Sequence, residues 1–158
     1  MEVSTYPLFQ YPPYCLALAS RMAEVAETAR LDLLHVHYAI PHAISALLAK
    51  QMLGGRLPFV TTLHGTDITL VGIDRSYFPI VKFSIEQSDG VTTISSHLEQ
   101  RTRAVFGVRN EIRVIYNFVN CEQYHRNPDP AARAVYATPG EKILVHLSNF
   151  RPVKRVLD

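Results

Sequence analysis

FVTTLHGTD, residues 59–67, runs from a β-branched, apolar strand straight into His64-Gly65-Thr66-Asp67. Polar chemistry therefore stands at the carboxyl end of a strand. In an open parallel sheet that edge is where ligands bind, because the loops leaving the strands converge on one crevice. A second stretch repeats the arrangement: ILVHL at 143–147 delivers Ser148, Asn149, Phe150 and Arg151, then Lys154 and Arg155. The pair describes a crevice with polar groups on one wall and cations on the other.

Working outward from residue 59, the chain alternates strands and helices. Residues 33–36 read as a short buried strand, and Pro41 opens a helix whose inner face is Ile44, Leu47, Leu48 and Met52, ended by Gly54-Gly55. Upstream, Leu18, Met22, Val25 and Ala29 recur at helical spacing, after the structure-breaking YPPY at 11–14 and a candidate strand at 2–6. Downstream, Ser76 is placed to cap a helix to about Gln87, and 90–94 is a short apolar strand. Ser96 and Glu99 have capping-box spacing ahead of Leu98, Thr102, Val105 and Phe106, and 112–116 closes the set as a strand. Short connections and strands apolar on both faces predict an α/β fold, a Rossmann-like parallel sheet with helices on both faces. Between 120 and 140 the NPDP and TPG clusters read as a linker with a short helix at 131–136, after which the strand at 143–147 begins. The expected organisation is one domain over 1–120, a linker over 121–140 and the start of another domain over 141–158.

Composition bounds the function. With 158 residues, 47% hydrophobic and 19% charged, the chain is long enough for one ordinary core. A net charge of +2 with scattered Lys and Arg offers no nucleic-acid or membrane-binding face. No apolar run approaches the roughly 20 residues of a membrane-spanning helix. The first residues lack the basic start and apolar core of a secretory signal. Cys15 and Cys121 have no metal-like spacing and read as free thiols of a cytoplasmic protein, although the sequence leaves a disulfide between them open.

Each apolar strand ends in hydrogen-bonding side chains: Tyr38, His64, Ser95, Asn117 and Asn149. For Ser95 and Asn117, the ordinary polar loop of any α/β protein is an equal explanation. At His64-Gly65-Thr66-Asp67 the glycine lets backbone approach a ligand, and Asp67 is placed to cap the next helical turn. His35 and His37 share one strand face, with His42 and His64 near in sequence, and His-x-His is a known metal-ligand arrangement. No acidic partner of matching spacing accompanies them, so hydrogen-bonded histidines are the better reading. Lys154 and Arg155, at the opening turn of a helix after a strand, favour an anionic ligand over a solvated face.

The blocks YPPYCLALASRMAEVA (11–26), LLHVHYAIPHA (33–43), VTTLHGTDIT (60–69), VIYNFVN (114–120) and VHLSNFRPVKRV (145–156) span nearly the whole chain. In that order they resemble the retaining nucleotide-sugar glycosyltransferases of family four, which have two Rossmann-like domains in the GT-B fold. Within that family the resemblance is to members that move N-acetylglucosamine from UDP-GlcNAc to L-malate at the start of bacillithiol biosynthesis. Full-length members begin with a strand and a Gly-Gly-Ser loop facing phosphate. They end in a donor domain with two glutamates that hold nucleotide and sugar. The resemblance therefore implies a fragment: most of the acceptor domain, the linker and the first strand of the donor domain.

The implied chemistry is transfer with retention, in which the departing UDP gains negative charge that fixed cations stabilise. By resemblance Lys154 contacts the diphosphate, with Arg151 as the weaker candidate. Many members carry Arg where Asn149 aligns, which assigns Asn149 to orienting the acceptor or a phosphate oxygen. His64 lines sugar and acceptor, and Tyr38 and Thr66 hydrogen-bond malate. With Lys154 in place no divalent metal or other cofactor is needed. The partners implied are the two small molecules alone, with a homo-oligomer left open. The alternatives are a non-catalytic α/β ligand-binding or pseudoenzyme fragment and a metal-dependent hydrolase built on the histidines.

Overall fold

Four parallel strands in sequential order make the sheet: β1 (Leu34–His37), β2 (Phe59–Leu63), β3 (Gly90–Thr93) and β4 (Ile112–Val114). A computed structural model describes residues 13–69, 72–126, 129–150 and 154–158, so the candidate strand at 2–6 lies outside the described residues. The register aligns Val36 with Thr61, Thr61 with Val91, and Val91 with Ile112, which puts these residues on one face of the sheet. His35, His37, Thr62 and Thr92 fall on the other.

The helices follow from the strand order. Each crossover steps to the next strand in the same direction, and right-handed crossovers then place every connecting helix on the same face. Those helices are α2 (Ile44–Met52), α4 (Phe78–Gln87) and α5 (Ser96–Phe106), with a π-helical turn at Ala39–Ala43 and the single turn α3 (Thr66–Thr69) at the carboxyl edge. They bury Leu34, Val36, Phe59, Leu63, Val91 and Ile112. Each fully buried Phe or Leu contributes roughly 1.5–3 kcal/mol. On the opposite face His35 and His37 are exposed.

The first helix, α1 (Tyr14–Thr28), packs on α2 through alanines: Ala19, Ala23 and Ala26 are buried, as are Ala43, Ala46 and Ala49. Of the stripes expected from the larger residues, Met22 and Leu47 pack against this cluster, whereas Val25 and Met52 turn outward. Val25 is 38% exposed and Met52 is 60% exposed. Small side chains let the two backbones approach, and the long ones cover the rim. The caps also shift. Ser95, not Ser96, accepts the α5 N-terminal bond, from Leu98 N at 3.2 Å, and Gly107 ends that helix at φ 60°. Helix α4 starts at Phe78 rather than Ser76, because Asp74 Oδ1 takes the Ser76 N–H in a turn at 2.8 Å. Asp89 joins α2 to the sheet: its carboxylate accepts from Lys50 Nζ at 2.7 Å and from Phe59 N at 2.8 Å.

The chain divides into two units, Met1–Phe118 and Val119–Asp158. In the second, α6 (Pro130–Ala134) is capped by Asp129 Oδ1, which accepts from Ala131 N at 2.9 Å. None of its described residues is buried. Residues 143–147, expected as a strand, form none. A strand is held by its ladder, and among the described residues no segment pairs with this one, leaving Leu144 and Leu147 96% and 95% exposed.

Candidate functional site

The carboxyl ends of β1 and β2 lie side by side because the two strands are parallel neighbours in register, His37 opposite Thr62. That pairing brings the loop after His37 against the loop after Leu63. His37 Nδ1 is 2.8 Å from His64 Nε2, and the Tyr38 and His64 rings have centroids 5.0 Å apart. A second polar line crosses the same face of the sheet. His35 Nε2 meets Thr62 Oγ1 at 2.8 Å, and Thr62 Oγ1 meets Thr92 Oγ1 at 2.6 Å. His35, His37, Thr62, His64 and Thr92 line an open cavity of about 370 Å³, with Ile94, Ile115, Tyr116 and Asn117 completing its wall. Its walls pair convergent polar groups with apolar surface, as small-molecule sites do.

Asp67 organises the rim. It is 3% exposed. Its Oδ1 accepts from Gly65 N at 2.9 Å and from His64 N at 3.3 Å, and its Oδ2 accepts from Ala39 N at 3.0 Å. The expected role as cap of the following turn is therefore replaced by a bridge between two loops. Gly65 has φ 118°, which a side chain would strain, and this lets the loop fold back over the carboxylate. Tyr38 takes φ 75°, a conformation costing about 1–3 kcal/mol outside glycine, and its ring is held at the rim, 38% exposed.

His35 and His64 are tuned toward neutrality. Burial lowers the His64 pKa, with a further push from His37 that outweighs the opposing pull of Asp67. Burial and His37 also lower that of His35. A nitrogen-to-nitrogen bond needs one ring to donate and the other to accept, so the His37–His64 contact requires at least one neutral ring. Those nitrogens are turned on each other. Among the described residues no three His, Cys, Asp or Glu side chains gather in a metal-binding arrangement.

Of the site residues expected from sequence, Tyr38, His64 and Thr66 are brought together at this edge. Asn149 and Lys154 are exposed residues of the second unit, and Arg151 lies outside the described residues. Asn149 sits in a turn where Ser148 Oγ accepts from Phe150 N at 3.0 Å. Ser95 is accounted for as the α5 cap, whereas Asn117 lines the cavity. From sequence His35 enters only through the metal-ligand alternative, and Thr62 and Thr92 are not among the expected site residues. The period-2 alternation that puts His35 and His37 on one face carries the signal for Thr62 as well. A larger concavity of about 530 Å³ at the amino edge is lined by Glu27, Arg30, Asp32 and Arg56, with Arg56 spent on Glu27 at 3.3 Å.

Cys15 and Cys121 are both free thiols. No described helix is long and apolar enough to cross a membrane.

Similarity to known proteins follows the same residues. The chain is 53% identical over its whole length to N-acetyl-alpha-D-glucosaminyl L-malate synthase of Bacillus anthracis, covering 42% of that protein. It is 31% identical to an uncharacterized glycosyltransferase of Methanocaldococcus jannaschii over 66% of the chain and 29% of the relative. A putative teichuronic acid biosynthesis glycosyltransferase of Bacillus subtilis matches at 24% over 51% of the chain and 21% of the relative. The chain thus spans less than half the length of the curated relatives it matches. The model of Glycosyltransferase Family 4 matches residues 1–123, which include the whole carboxyl-edge cluster, and the chain belongs to that family.

Proposed function

We propose that this chain supplies the acceptor side of a retaining glycosyltransferase that moves N-acetylglucosamine from UDP-GlcNAc to the hydroxyl of L-malate, the first step of bacillithiol biosynthesis. The observation that carries the reading is the 53% identity, over the whole of this chain, to a protein whose name states that product. Residues 1–120 belong to the acceptor domain, 121–140 to the linker and 141–158 to the donor-binding domain. His64 lines sugar and acceptor, while Tyr38 and Thr66 hydrogen-bond the malate.

The physical demand of the reaction is the charge gathering on the departing diphosphate. Lys154, with Arg151 beside it in sequence, meets that demand without a divalent metal, and Asn149 orients the acceptor or a phosphate oxygen. Retention follows when the acceptor hydroxyl attacks from the face that UDP leaves, its proton passing to the leaving phosphate. No side-chain nucleophile is then required. The free thiols suit a reducing cytoplasm. The 158-residue polypeptide alone turns over no donor, since the second unit that carries Lys154 has no buried residue among those described.

The test is a chimera in which this chain replaces the corresponding segment of the Bacillus anthracis relative. UDP release that requires both UDP-GlcNAc and L-malate, with an α-anomeric product by NMR, supports the reading. Release indifferent to L-malate overturns it.

A further inference from the structure

One buried side chain holds both loops of the carboxyl edge. The three N–H groups that donate to Asp67 come from two separate segments, and each carboxylate oxygen serves one of them. Oδ2 takes Ala39 N at 3.0 Å, while Oδ1 takes Gly65 N at 2.9 Å and His64 N at 3.3 Å. Ala39 follows Tyr38, whose backbone is held at φ 75° and whose amide donates to Thr62 O at 2.9 Å. The spacing between the Tyr38 and His64 rings, 5.0 Å between centroids, is thereby set by a group that stands beneath them and is only 3% exposed.

We propose that Asp67 is a positioning residue of the acceptor site, locking Tyr38 and His64 into one arrangement through the Ala39 and Gly65 amides without touching the acceptor. The role assigned to that edge rests on the L-malate reading above, whereas the coupling of the two loops does not. Asparagine has nearly the same size but only one acceptor oxygen, and its NH₂ would face an N–H donor. Asp67→Asn therefore keeps one loop and releases the other.

The first arm of the test uses the 158-residue chain without ligand. In the native chain the Ala39 and Gly65 amides exchange slowly, and NMR shows a Tyr38–His64 ring contact. In Asp67→Asn, protection at one of the two amides falls by about tenfold or more, as expected for losing a hydrogen bond to a charged group. The Tyr38–His64 contact disappears while the stacked Phe78–Phe106 pair, 4.9 Å between centroids, persists. The second arm uses the chimera. There KM for L-malate rises about tenfold, KM for UDP-GlcNAc is unchanged, and Leu57→Ala, a core variant that weakens the fold at the amino edge, shifts neither.

An intact Tyr38–His64 contact in Asp67→Asn overturns the proposal, as does a Leu57→Ala variant that raises KM for L-malate equally. If Asp67→Asn does not fold, fast exchange at Ala39 in the native chain overturns it and slow exchange supports it. A chimera indifferent to L-malate refutes the function instead, and the ligand-free arm still decides on Asp67.

Discussion

His37 Nδ1 and His64 Nε2, 2.8 Å apart, join the carboxyl ends of β1 and β2 ring to ring. The bond survives only while one ring is neutral, which ties the shape of the rim to protonation. His35 and His64 both have pKa values below the ordinary 6.5. The unfolded chain then binds more protons than the folded one between those lowered values and 6.5, so stability rises with pH across that window and falls as pH drops through it. The urea midpoint should be lower at pH 5.5 than at pH 7.5, and His35→Gln combined with His64→Gln should flatten that difference. Asp89, whose pKa is lowered below 3.8, loses its contribution only in more acid solution.

Asp89 gives a separate test of the fold. Replacing it by Ala leaves Lys50 Nζ and the Phe59 amide without their shared acceptor. The expected loss is about 2 kcal/mol, read from chemical denaturation. Because Asp89 stands at the amino edge, the Tyr38–His64 contact should be unaffected.

In the chimera, Lys154→Ala and Tyr38→Phe should fail differently. The lysine acts when the diphosphate departs, so its loss should lower kcat by about 10²-fold. Tyr38→Phe removes an acceptor hydrogen bond and should raise KM for L-malate more than KM for the UDP-sugar. Normal turnover in Lys154→Ala would contradict the assignment of the cations to the donor.

Residues 141–150 form no ladder, and Val145 is 85% exposed. Their amides should exchange within the dead time of a hydrogen-exchange experiment on monomeric chain, while Leu63 and Val91 remain protected. Strong protection over 141–150 in a monomer would show that the segment packs after all.

The sequence made the parallel α/β class legible because strand and helix periods differ, and strands β1 to β4 fall within two residues of their expected ends. The α1–α2 contact was not legible in the same way. Hydrophobic periodicity weights Leu18, Met22 and Met52 above alanine, whereas close helix packing selects Ala19, Ala23, Ala46 and Ala49. Likewise the sequence marked His64 and Tyr38 as polar strand ends. It did not mark the link between them, because Asp67 reaches Ala39 across 28 residues through a register that only the folded sheet sets. At 143–147 the local pattern of a strand is present but no segment among the described residues pairs with it, and local pattern alone does not make a ladder.

The most direct measurement is a ¹H–¹⁵N chemical-shift titration of the 158-residue chain with L-malate. If the carboxyl edge is the acceptor wall, saturable shifts should cluster at Tyr38, Ala39, His64, Gly65 and Thr66. Shifts confined to the amino-edge concavity around Arg30 and Arg56, or no saturable shift at all, would contradict the account.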